Sequence, residues 1–244
     1  MKIRIEALSK LYGGVTALDA VTLEVEPGQI VAVLGMNGAG KTPLLRCLAG
    51  ISAPSHGRIY CDGEQFLRTR VDLRRRLSFL PDFPPMFHHM TVGRHIAMAL
   101  RLYDADNDGA EARVVELLRK FDLLTFVETP VGNLSRGQAY KTALTALLAL
   151  DPDLWLLDEP FASGMDPVGI NVFRSHAREA AQHGHTVIYS TQLLDLAERF
   201  SDLVVILYRG ELRAFGSIAE LRQETKGAGN VLEDVFEKLR DQEL

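Results

Sequence analysis

The chain has 244 residues, of which 47% are hydrophobic and 24% charged, the balance of a folded globular protein rather than a disordered or fibrous one. Its formal charge of −5 carries no basic footprint for nucleic acid. The two cysteines, Cys47 and Cys61, lack CxxC spacing, which fits a reducing cytosol and argues against a zinc or disulfide framework.

The opening Met1-Lys-Ile-Arg-Ile-Glu lacks the apolar core of a signal peptide. Ile3, Ile5 and Ala7 alternate with Lys2, Arg4 and Glu6 as in a half-buried strand, and a second alternating strand is expected from Val21 to Val25, stopped by Pro27-Gly28. Ile30 to Leu34 is continuously apolar, the pattern of a strand covered on both faces. A glycine-rich loop and a helix from Leu44 to Ala49 follow, then short strands over 57–62 and 77–80. After Pro81 the texture changes: Phe83 to Met90 is rich in Pro, His and Met, and Thr91 caps a helix expected to reach Tyr103.

The acidic loop Asp104 to Gly109 lacks the glutamate that an EF-hand places at position twelve, and reads as a solvated turn. It leads into a helix with Val114, Val115, Leu117, Leu118 and Phe121 at helical spacing. Ala143 to Leu150 is the richest apolar stretch and is far too short to span a membrane. Strand and helix then alternate over 154–157, 168–182, 186–190, 193–200 and 203–207, as in a parallel sheet. A polar linker over 225–230 and an amphipathic helix over 231–240 close the chain. His88 and His89 show no metal-ligand grouping and read as surface or packing residues.

Gly35-Met36-Asn37-Gly38-Ala39-Gly40-Lys41-Thr42 fills the P-loop pattern GxxxxGK[ST] between a strand and a helix. The glycines let backbone N–H groups converge on phosphates, and the helix N-terminus adds partial positive charge. Lys41 is assigned to the β- and γ-phosphates of ATP and the Thr42 hydroxyl to Mg²⁺. The apolar strand Leu154 to Leu157 runs into Asp158-Glu159, which sets two carboxylates at the carboxyl edge of the sheet. Asp158 is expected to hold Mg²⁺ through water, and Glu159 to polarise the attacking water as general base.

Leu134-Ser135-Arg136-Gly137-Gln138 precedes the helix carrying the apolar run to Leu150, and resembles the LSGGQ signature of ABC ATPases. Ser135 also fits a plain N-cap. The resemblance covers nearly the whole chain and implies an α/β P-loop NTPase fold, with a mostly parallel core sheet, an N-terminal antiparallel β part and a helical insert. On that pattern 1–82 and 151–224 form the nucleotide-binding core, 83–150 the helical subdomain with the signature, and 225–244 a linker and closing helix. In the family the signature Ser and Gly of one subunit contact the γ-phosphate held by the other, so the resemblance implies a homodimer or a heterodimer with another ABC ATPase. Ser163-Gly-Met-Asp166-Pro167 resembles the D-loop that crosses to the partner, and Leu232-Glu-Asp-Val-Phe236 is similar to a common family ending. Tyr12 stands where the family stacks an aromatic ring on adenine; from its spacing alone it equally fits a strand-end core position. The insert from Leu80-Pro81-Asp82 resembles the export-type branch, which implies a separate membrane permease docking at Pro85-Met86-Phe87 and a place on the cytoplasmic face of the membrane.

Four positions depart from the family pattern. Pro43 replaces a Ser or Thr and removes an N–H that would reach the α-phosphate. Asp82 stands for the Q-loop glutamine; it can bind Mg²⁺ or accept from water, but cannot donate. Arg136 replaces the first signature glycine and could face the partner's γ-phosphate or lie along the interface. Gln192 replaces the histidine that arranges the attacking water, and can donate only a neutral hydrogen bond. The leading expectation is a transport ATPase with slow hydrolysis. A nucleotide switch with little hydrolysis, favoured by Gln192 and Pro43, is the alternative. A soluble ABC protein of translation or DNA repair is a third reading, opposed by the acidic charge and the single set of motifs.

Overall fold

The computed structural model describes residues 1–225 together with Leu232, Glu233 and Phe236. Two long strands, β1 (Ile3–Tyr12) and β2 (Val15–Val25), pair antiparallel across the turn at Gly13-Gly14. The expected alternation in β1 breaks at Ala7, which is exposed while Leu8 is buried. Ala7 has φ of +44°, and the pairing register shifts between Ile5 and Leu8. A bulge inserts one residue and reverses which side faces the core. The second strand likewise starts six positions before the expected Val21, carrying its own left-handed residue at Ala20.

The completely buried β3 (Ile30–Leu34) follows, then α1 (Lys41–Leu48). The outer strands β4 (His56–Cys61) and β5 (Glu64–Gln65) pair antiparallel beside β1, and a single turn of helix, α2 (Val71–Arg74), leads into β6 (Leu77–Leu80). Three helices come next: α3 (Val92–Leu102), α4 (Ala110–Lys120) and α5 (Arg136–Leu150). Thr91 caps α3 by accepting the Arg94 N–H, as its residue type predicts. The acidic connection between α3 and α4 places Asp104 against Arg75 at 2.5 Å.

The chain then alternates β7 (Leu154–Leu157), α6 (Pro167–Gln182), β8 (Thr186–Thr191), α7 (Leu194–Phe200) and β9 (Leu203–Tyr208). Two elements the patterning does not announce complete it, β10 (Glu211–Gly216) and α8 (Ile218–Thr225). Among the described residues ten strands form one sheet in the order β5-β4-β1-β2-β10-β9-β3-β8-β7-β6. From β9 to β6 every neighbour is parallel. The antiparallel half joins it through β10, which pairs antiparallel with β9 and meets β2 at the Glu211–Asp19 bridge.

The apolar runs explain the layers. In β3, Ile30, Ala32 and Leu34 face the core shared with α5 and α6, while Val31 and Val33 face the core shared with α1. Trp155 is fully buried and satisfies its indole N–H on the Pro152 carbonyl at 2.8 Å. Each fully buried large apolar side chain stabilises the fold by about 1.5–3 kcal/mol. Of the expected closing helix, Leu232 is buried, Glu233 is exposed and Phe236 packs on the same core as α5; the other residues of 226–244 lie outside the described residues. No described helix is long and apolar enough to cross a membrane.

Candidate active site

Parallel strands end on one edge, so the loops after β3, β6, β7 and β8 share that edge. Together they border a cleft of about 690 Å³ whose lining includes Lys41, Thr42, Asp82, Asp158, Glu159 and Gln192. Between β3 and α1 the chain turns through Gly40 at φ +107°. A Cβ there would lie 2.7 Å from the Ala17 carbonyl oxygen and 2.9 Å from Leu18, so only glycine lets the loop lie against β2. The turn between β9 and β10 seals the same junction: the Gly210 N–H donates to the Ala39 carbonyl at 3.0 Å.

Lys41 is the first residue of α1 and is 7% exposed. Its ammonium donates to the Gly35 carbonyl at 2.7 Å and the Met36 carbonyl at 3.3 Å, and stands 3.4 Å from Glu159 Oε1. Pro43, two positions on, fits the first turn because the first intrahelical bond runs from the Leu44 N–H to the Gly40 carbonyl.

Asp158 is buried at 5% exposure, and both its oxygens accept hydroxyl protons: Thr42 Oγ1 donates to Oδ2 at 2.8 Å and Ser190 Oγ to Oδ1 at 2.6 Å. Ser190 also accepts the Glu159 N–H at 2.9 Å. Glu159 has φ of +48°, a left-handed conformation that costs a non-glycine residue about 1–2 kcal/mol. The Ser190 bond and an aromatic cluster hold that turn: Phe161 packs on Tyr189, Phe173 and Phe200 with ring centroids 5.4–6.0 Å apart. Gln192 donates to Asn37 Oδ1 at 3.0 Å and reaches Glu159 Oε1 at 3.4 Å. Thr42 and Asp158 thus present only oxygen donors within bonding distance of each other, the donor chemistry that suits a hard divalent cation such as Mg²⁺.

The ABC transporter family model matches residues 18–162, which contain the P-loop, the signature and the Asp158-Glu159 pair. The chain belongs to the ABC transporter family. It is an ATP-binding subunit of an ABC transporter, of a family that hydrolyses ATP. It is 31% identical over 236 residues to the ABC-type transporter ATP-binding protein EcsA of Bacillus subtilis, covering 96% of this chain and 95% of that one. A probable sulfate/thiosulfate import ATP-binding protein CysA of Chlorella vulgaris is 35% identical over 91% of this chain and 93% of its own. A solved structure described as the ATP-binding subunit of an ABC transporter superposes with a TM-score of 0.92 at 29% identity, covering 98% of this chain and 100% of the other.

In this ABC ATPase the signature does not precede its helix but forms its first turn. Ser135 caps α5, accepting the Gln138 N–H, while the Gln138 side chain accepts the Ser135 N–H at 2.9 Å. Gln138, the last residue of the signature, is half of that capping box. A Cβ on Gly137 would run into the Gly164 carbonyl oxygen of the D-loop, so signature and D-loop touch backbone to backbone. Asp166 caps α6 through the Gly169 N–H and pairs with Lys141 of α5 at 2.9 Å.

Asp82 and Arg136, assigned by sequence to the metal and to the interface, hold each other: Arg136 Nη2 donates to Asp82 Oδ1 at 2.8 Å. The guanidinium also lies over the Phe83 ring, 4.4 Å from its centroid. Tyr12 is half-exposed at the end of β1, with its hydroxyl 3.1 Å from Ser52 Oγ and Lys10 above its ring, and does not line the cleft, whose wall begins at Val15. Val15, Thr16, Ala17 and Ser190 are site residues that the motifs do not mark.

Proposed function

We propose that this chain binds ATP with Mg²⁺, closes head to tail on a second ABC ATPase subunit, identical or not, and hydrolyses the nucleotide to drive a separate membrane permease. The observation that carries the reading is the convergence of Lys41, Thr42, Asp158, Glu159 and Gln192 on one cleft. Mg²⁺ at Thr42 and Asp158 would neutralise phosphate charge. Arriving phosphates draw the Lys41 ammonium from Glu159, and the freed carboxylate accepts a proton from the attacking water. Gln192 steadies that carboxylate with a neutral hydrogen bond where the family carries a histidine, and Pro43 offers no N–H, so hydrolysis is slow.

We read 1–82 and 151–224 as the nucleotide-binding core, 83–150 as the helical subdomain and 225–244 as the closing linker and helix. Packing of α3 and α4 on α5 supports the division. Resemblance of the insert from Leu80-Pro81-Asp82 supports the export-type branch. The proposed permease would place the chain on the cytoplasmic face of the membrane, with a cytoplasmic helix of the permease docking at Pro85-Met86-Phe87. Phe83 and Phe87 are 69% and 60% exposed on that side of the molecule. Phe87→Asp should abolish co-purification with the permease; unchanged co-purification rejects this docking face.

The test of the whole reading is Mg²⁺-dependent ATP turnover by the purified chain beside Glu159→Gln and Lys41→Ala. Turnover lost in both variants supports a motor. ATP binding by a chain that never turns over, alone or with its permease, replaces the motor with a nucleotide switch.

A further inference from the structure

The two departures Asp82 and Arg136 stand 54 positions apart in sequence, and the fold brings them together as an ion pair. Arg136 is thereby engaged twice within its own chain, by the Asp82 carboxylate and by the Phe83 ring. One helical turn further along α5, at i+4 and hence on the same face, stands Tyr140. Tyr140 is 1% exposed, and its hydroxyl is buried without a hydrogen-bond partner. A buried hydroxyl that neither donates nor accepts is costly, and a fold that retains one points to a second arrangement in which it is used.

Two carboxylates act on this phenol, Asp82 and Asp158. Burial pushes Tyr140 well above its ordinary pKa, and both carboxylates push the same way, so it remains a proton donor. Both oxygens of Asp158 already accept from Thr42 and Ser190. Asp82 has one oxygen on Arg136 and acceptor capacity left on the other.

We propose that Asp82 exchanges partners along one face of α5: Arg136 holds it in the arrangement seen here, and Tyr140 takes it over when Arg136 turns to the phosphate of a nucleotide bound by a second subunit. Arg136 cannot reach that phosphate without leaving a partly buried carboxylate behind, and Tyr140 supplies the replacement donor. Tyr140 is thus a positioning residue, acting on the nucleotide through Asp82. The substitutions for the Q-loop glutamine and the first signature glycine become two halves of one device. The inference rests on the proposed dimeric ATPase reading.

The experiment uses the full chain with tyrosines labelled at ¹³Cζ, Tyr140 being assigned by its loss in Tyr140→Phe. In a Glu159→Gln background, ATP-Mg²⁺ should shift the Tyr140 resonance downfield, and Asp82→Ala should abolish the shift. Arg136→Gly should produce the shifted resonance without nucleotide, because Asp82 is then permanently released. In turnover, Tyr140→Phe should lower kcat about tenfold at unchanged KM, and should have no further effect in an Asp82→Ala background. Equal effects of Tyr140→Phe in both backgrounds, or a resonance unmoved in Arg136→Gly, overturn the exchange. A chain without turnover removes the ATPase reading, while the Arg136→Gly resonance still decides the exchange.

Discussion

Ser190 of β8 donates its hydroxyl proton across 2.6 Å to Asp158, which directly follows β7 and lies 32 positions earlier in the chain. With the same oxygen Ser190 accepts the Glu159 N–H, so one side chain orients the carboxylate proposed to hold Mg²⁺ and pins the left-handed turn of the proposed base. Ser190→Ala should therefore lower Mg²⁺-dependent turnover roughly 10–100-fold, the usual effect of removing a group that orients a metal ligand. Mg²⁺ titration of the ATPase rate checks it, and an unchanged titration would show that Thr42 alone orients Asp158.

Gln192 lies between Asn37 and Glu159, close enough to serve the base but unable to bear charge. Gln192→His should raise kcat about tenfold at saturating ATP. If turnover stays flat while ATP binding is intact, the neutral amide does not limit the rate.

Pro43 deprives the phosphate cradle of one donor in the first turn of α1. Pro43→Ser restores the N–H without disturbing the bond from Leu44 to Gly40, and one hydrogen bond of about 1 kcal/mol corresponds to about fivefold tighter ATP binding. Isothermal titration with ATP-Mg²⁺ measures it directly; equal affinities would mean that the nucleotide never uses this N–H.

Asp166 carries the pH prediction. The Gly169 N–H, and after it the Lys141 ammonium, hold its carboxyl below the ordinary 3.8. A depressed folded value means the contribution is complete above 3.8 and disappears as pH falls through the lower folded value. Asp166→Asn keeps the cap but removes the charge, so denaturant titrations should show a shallower loss of stability on the acid side of pH 4 than in the parent chain. Identical acid limbs would assign the acid sensitivity elsewhere.

How much of this was legible in the residues depends on whether the signal is local. The apolar runs of β3 and β7, the P-loop glycines and the Asp158-Glu159 pair are contiguous, so pattern and chemistry can be read together. Residue alternation failed at Ala7 because a bulge changes phase without changing composition. The β10 segment, Glu-Leu-Arg-Ala-Phe-Gly, stayed unseen because its partial burial comes from neighbours on both sides rather than from its own pattern. Ser190 looks like an ordinary strand residue until β8 is laid beside β7. Asp82 and Arg136, read singly, each suggest an outside partner, Mg²⁺ or water for one and the second subunit's phosphate or interface for the other; only the folded chain shows them meeting.

The close contact of Gly40 with Ala17 bears on the thermodynamics of binding. The phosphate loop is wedged between β2 and the Gly210 turn, with Lys41 tying its carbonyls together, so its backbone is held in place by contacts within the chain itself. A mould built in advance incurs little ordering entropy when it is filled. The conformational work of nucleotide capture then falls on the opposite bank of the cleft, where side chains rather than backbone must change hands.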